Sequence, residues 1–337
     1  MAALPALVLV YYIFFVEDMS NLPHIIKSIS TVWLIAAVLC MLNYWLLEAL
    51  VLHVITKSLH AHQKFFSTLN VTMIGQFFNC VTPFASGGQP MQAYYLVKDE
   101  VPLKVATTSL LAKFMIYQID LILYTTILVI LRIAFFVNNV SGFTYLALIG
   151  YGVNLLVMAV LFSLAYFKKP TAKVIGFFIR LLTKIRIIKK PEKILEKIDT
   201  EVEQFHDTFV ALTQKKGLLG KCLLLSTAQL TFYLLIPFTI FMGFGLVNSN
   251  ADVLTMISAG AFVLMVSSFV PLPGAAGAAE TSYLLFFSLF FPSGILGIST
   301  LIWRFITYYL CIFVGSIFSI RSGAFRKDKE LSEKPIT

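Results

Sequence analysis

Charge is scarce in this chain: 13% of its 337 residues are Asp, Glu, Lys or Arg, against 58% hydrophobic. Mean hydropathy is +0.86, and apolar runs recur along the whole length, so no soluble domain of any size fits between them. That excludes an ordinary soluble enzyme and indicates a polytopic membrane protein. Cysteine is sparse as well. Cys40, Cys80, Cys222 and Cys311 are scattered through apolar segments without metal-ligand spacing, which predicts buried thiols and neither disulfides nor a metal site. His60 and His62 read as interfacial polar residues, since two histidines without a further ligand are a weak metal signal. No cleavage pattern follows the first apolar run, so Ala2–Val16 reads as a retained, short span.

What charge there is has a pattern. Thirteen of the 26 Lys and Arg residues fall between Lys168 and Lys221, another five between Arg321 and Lys334, and none between Lys221 and Arg304. This is loop asymmetry, not a nucleic-acid surface, and it predicts that both basic clusters and both termini are cytoplasmic, with the chain in the cell membrane.

Six full spans are expected: Ala2–Val16, Val32–Thr56 with Asn43 and Glu48, Val105–Phe136 with Lys113 and Asp120, Phe143–Phe167, Leu218–Val247 with Pro237 as a kink, and Ile295–Ile320 with Arg304. Between Pro191 and Leu212 the apolar spacing predicts an amphipathic helix, lying either on the inner leaflet or packed as a connector. Two further apolar stretches are broken. Phe65–Val97 is interrupted at Pro83 to Pro90 through Ser86, Gly87, Gly88 and Gln89, and lysines on both sides predict re-entry from the cytoplasm. The second runs from Asp252 to Phe291 and is interrupted at Pro271, Pro273, Gly274 and Gly277, ahead of Glu280; its flanks lack cations, which predicts re-entry from outside. Proline ends a helix by removing a donor and clashing with the preceding turn. Broken helix at membrane depth survives where protein buries it or where it lines a polar cavity.

The two stretches are spaced alike. Pro83 precedes Gln92 by nine residues and Lys113 by 30; Pro271 precedes Glu280 by nine, and Pro273 precedes Arg304 by 31. The fold expected is therefore an all-α integral membrane protein with about six spans, two re-entrant elements and an inverted repeat. The first repeat would cover 21–137, a connecting span and basic segment 138–217, the second repeat 218–322, and a cytoplasmic tail 323–337. Substrate would bind at the repeat interface. Lys113 and Arg304 would neutralise a phosphate together with helix N-termini, while Glu280 and Asp120 would counter-charge the site or bind a cationic headgroup. The structural alternative is that Arg304–Glu280 and Lys113–Asp120 are buried pairs fixing helix register.

The motifs Pro83–Gln92 and Pro271–Glu280, with the following Trp303-Arg304, resemble the membrane region of the lysyl-phosphatidylglycerol synthase and flippase family, the multiple peptide resistance factors. The resemblance runs from about Asn21 to Ser322. It implies translocation of an aminoacylated phospholipid, which lowers negative surface charge and blunts cationic peptides. The soluble domain that transfers the aminoacyl group from tRNA in full-length members is not in these residues. Many members carry an acidic residue just after the first Gly-Gly; Gln89 stands there here, which argues against proton coupling at that position. The function expected is lipid translocation, with membrane phospholipids as partners, no cofactor, no nucleic acid, and a separate soluble lipid aminoacyl synthase or a homodimer as further associations. The rival readings are a phosphatidylglycerol lysyltransferase acting with a catalytic partner and an ion-coupled transporter of a small solute.

Overall fold

The computed structural model describes residues 29–140, 142–167, 206–247, 251–267, 273–275 and 277–323. Among them the regular structure is entirely helical, as expected of a backbone that must satisfy its own polar groups in lipid. In chain order α1 covers Thr31–Leu59, α2 Phe65–Val81, α3 Gly88–Lys98, α4 Leu103–Asn139, α5 Phe143–Tyr166 and α6 Lys216–Gly243. α7 covers Val253–Ser267, α8 Ala278–Phe287, α9 Ser293–Arg304 and α10 Leu310–Arg321, a π-turn at Phe305–Tyr309 joining the last two.

Among the described residues five helical stretches are long and apolar enough to cross a membrane: α1, α4, the first 18 residues of α5, α6, and α9 through α10. They match five of the six expected spans; Ala2–Val16 lies outside the described residues. At 29 residues α1 is about 44 Å long, ample for a hydrocarbon core of roughly 30 Å. Their outward faces are apolar: Leu123, Ile127, Ile130, Leu148, Ile149 and Val160 are each at least half exposed, where lipid would cover them. The chain is a multi-pass, all-α membrane protein.

α2 and α3 form one short helical hairpin and α7 and α8 a second. At 17 and 11 residues, α2 and α3 are about 26 and 17 Å long, each shorter than the roughly 30 Å hydrocarbon core. Glycine permits its tightness: a Cβ on Gly75 would stand 2.2 Å from Gln92 Nε2, and one on Gly88 2.7 Å from the Gly75 carbonyl. α1 packs most extensively against α6, and α2 against α10. The two breaks touch each other, so the short hairpins meet tip to tip.

α6 runs as one helix with Pro237 inside it, in place of the expected kink, and the non-helical residue falls in α4, where Arg132 adopts φ −125° and ψ 15°. Of the amphipathic segment only its end is described, and there Phe209 and Leu212 are buried against Ala112, Met115, Ile116 and Cys222. Those residues pack as a connector on protein rather than on the lipid surface.

Candidate functional site

The breaks share a plan. Pro83–Ala85 and Pro273–Ala275 are each one short turn that opens on proline, the second with Gly274 also left-handed at φ 62°. Each closes on an alanine in the left-handed region, Ala85 at φ 51° and Ala275 at φ 51°. That conformation is costly for a residue with a Cβ, so two identical instances mark a constrained site. The next helix starts five residues after the proline in each case, at Gly88 and at Ala278. The matching register is therefore Pro83 with Pro273. The equal nine-residue spacing of Gln92 and Glu280, counted from Pro83 and Pro271, does not survive it: Gln92 is the fifth residue of α3 and Glu280 the third of α8. Pro271 itself lies outside the described residues.

Between the breaks is a cavity of about 230 Å³ lined from both sides. Ala85 borders it from the first break, Gly274 and Ala275 from the second, and Arg304 supplies its charge. Residues not singled out from sequence complete the wall: Gln76 and Asn79 of α2, Tyr44 of α1, Tyr233 of α6, and Ser267, Thr307 and Tyr308. Gln76 and Asn79 stand three apart on one face of a 17-residue, mostly apolar helix, a signal that was available in the sequence.

Arg304 is 5% exposed. Its Nη2 donates to the Gly274 carbonyl at 3.0 Å, and its Nε lies 2.6 Å from Glu280 Oε1. Glu280 in turn accepts the Gly277 N–H at 2.7 Å through Oε2, so it caps α8 and balances Arg304 at once. The guanidinium lies 5.1 Å from the Trp303 ring and 5.5 Å from that of Tyr308, within cation–π range. Tyr308 donates from its hydroxyl to the Cys80 carbonyl at 3.1 Å, tying the last span to the end of α2. The π-turn begins directly after Arg304, and such wide turns frequently occur at functional positions.

Lys113 does not line the cavity and does not pair with Asp120. Its ammonium donates to Glu48 Oε1 at 2.9 Å and to Gln92 Oε1 at 3.2 Å. Glu48 also accepts from Gln76 Nε2. A polar seam thus runs from Gln92 through Lys113, Glu48 and Gln76 to the cavity, with Arg304 across from it. Glu48 is its hinge, visible beforehand only as an acid in a span. Asp120 stands apart, bonded to Thr227. In the first break, Pro83 and Ser86 are exposed, Gln89 is half-buried and Gly88 is buried. Ser86 donates to the Pro83 carbonyl at 2.8 Å, and the Gly87 N–H to Thr82 Oγ1 at 2.9 Å.

Comparison with known proteins now decides the family. Residues 2–315 match the family described as the lysylphosphatidylglycerol synthase TM region. The chain belongs to that family. It is also 27% identical over 295 residues to a UPF0104 membrane protein of Archaeoglobus fulgidus, covering 87% of each chain. No solved structure matches it. The family assignment accords with the resemblance carried by the two broken motifs.

Proposed function

We propose that this protein moves a phospholipid between the leaflets of the cytoplasmic membrane, with its headgroup passing through the cavity between the two breaks. The observation that carries this reading is the cavity's wall: left-handed turns of two hairpins and one buried arginine meet around about 230 Å³. A buried arginine offers planar donors matched to phosphate. Arg304 would exchange part of its contact with Glu280 and the Gly274 carbonyl for phosphate oxygens, and the released Glu280 would face a cationic aminoacyl headgroup. An aminoacylated lipid such as lysyl-phosphatidylglycerol supplies both charges, and the family's description points to the same lipid. Its translocation would reduce negative surface charge and resist cationic antimicrobial peptides, with a separate soluble synthase as the source of the lipid.

Purified protein in liposomes should accelerate leaflet exchange of labelled lysyl-phosphatidylglycerol, and Arg304→Ala should lower that rate. Arg304→Ala alone leaves Glu280 buried and uncompensated, a situation that costs about 3–5 kcal/mol. Adding Glu280→Gln should restore stability without restoring exchange. Exchange of no phospholipid by a folded protein would refute the reading and favour a small-solute transporter. Formation of aminoacyl lipid from charged tRNA by this chain alone would favour the transferase.

A further inference from the structure

One buried ionisable group takes no part in the polar seam. Asp120 on α4 is 3% exposed. Thr227 of α6 donates to its Oδ1 at 2.8 Å, and Oδ2 is fully buried. The Ser226 hydroxyl, also buried, lies close enough to donate to the carboxylate. The group is thus met by neutral hydroxyls, which offset the loss of water without offsetting its charge.

Among the described residues no cation compensates the carboxylate. Lys113 and Arg132, on the same helix, are paired with Glu48 at 2.9 Å and Asp252 at 3.0 Å. Lys104 on α4, Lys57 on α1, Lys98 on α3, and Lys216 and Lys221 on α6 are exposed near helix ends. Arg304 is held by Glu280. Tyr117 of α4, Tyr44 and Glu48 of α1, Tyr151 of α5 and Cys222 of α6 bring no positive charge, and α7 carries no titratable side chain. His53 of α1 faces Thr68 of α2, and the segment packed on α4 and α6 through Phe209 and Leu212 adds His206 and Asp207. An ionised, unpaired carboxylate in such surroundings is far costlier than the neutral acid. A proton on Oδ2 removes the unbalanced charge, and the new O–H can donate to Ser226 Oγ.

We propose that Asp120 is a proton-binding site at the α4–α6 contact, and that its loading and unloading couple the lipid movement proposed above to a proton gradient. The coupling rests on that transport reading; the proton site does not. Releasing the proton to water creates a buried carboxylate met by two hydroxyls and balanced by no charge. The two helices must then part around Ser226 and Thr227, and α4 carries Lys113 of the polar seam on the same face two turns away.

Infrared spectra of the purified protein decide the site without any transport. Wild type at neutral pH should show a protonated-carboxyl C=O band that disappears in Asp120→Asn, a neutral isostere expected to fold. Ser226→Ala should retain the band at a shifted frequency, which keeps the test available if the Asn variant is unstable. Superimposable spectra of wild type and Asp120→Asn would overturn the proposal. So would a sodium-dependent rise in melting temperature that Asp120→Asn abolishes, with no acid band. In liposomes, a pH gradient should change the wild-type exchange rate and leave the Asp120→Asn rate unaltered. A gradient response equal in both proteins would overturn the coupling. Absence of any wild-type exchange would defeat the transport reading and the coupling with it, and the infrared band would still judge Asp120.

Discussion

Lys113 and Glu48 stand 65 residues apart in the chain and close to 2.9 Å, with both side chains about nine-tenths buried. The pair joins α4 to α1 behind the cavity, and Gln92 and Gln76 saturate it from the first hairpin. Removing one partner of such a pair leaves a bare charge, whereas replacing both can be nearly neutral. Glu48→Gln should therefore destabilise by about 3 kcal/mol or more, and Glu48→Gln with Lys113→Met should recover most of the loss. Thermal unfolding in detergent across the double-mutant cycle measures this. Additive losses would show the pair to be uncoupled.

Gly274 should resist a single methyl group. Its φ is +62°, and a Cβ there would stand 2.2 Å from Tyr308 Cε2. Gly274→Ala displaces the Tyr308 ring, which borders the cavity and bonds to the Cys80 carbonyl. Melting temperature and lipid exchange should both fall. Tyr308→Ala in the same chain should relieve the clash and return part of the lost stability, leaving a dihedral cost of about 1 kcal/mol. If the double variant is no more stable than the single one, the ring contact is not the cause.

Acid should weaken the end of α7. Burial alone would raise the Asp252 carboxyl, but hydrogen bonds from the Thr255 hydroxyl and N–H and the Arg132 guanidinium outweigh it and hold the group below the ordinary carboxylate value. A depressed folded value means that the stabilisation is complete above the unfolded value, about 3.9, and is lost as pH falls through the folded one. Melting temperature should drop below about pH 4, and Asp252→Asn should remove part of that drop. Identical acid limbs in the two proteins would contradict the assignment.

Opposite orientation of the two hairpins remains a proposal that labelling can decide. In a cysteine-free background, Ser86→Cys should react with an impermeant reagent from the cytoplasmic side and Ala276→Cys from the outside. Labelling of both from one side would eliminate the inverted repeat and the two-gate picture built on it.

Membrane class, five of the spans, and both breaks were legible in the chain itself. Long apolar runs admit few structures in lipid, and clustered proline and glycine end a helix where a lone proline, Pro237, does not. Arg304 could be given Glu280 as one candidate partner from sequence, because an arginine deep in a span must find an anion and Glu280 follows the second break. Lys113 could not be assigned that way. Asp120 lies seven residues along the same helical face, yet the partner came from α1, since α1, α3 and α4 converge there in space. The same convergence turned Gln76, Asn79, Tyr44 and Tyr233 from unremarkable polar positions into a cavity wall. Helix periodicity and breaker residues are local properties that sequence alone determined; which buried charge meets which, and which is left unpaired, depended on how distant helices pack, and only the tertiary structure decided it.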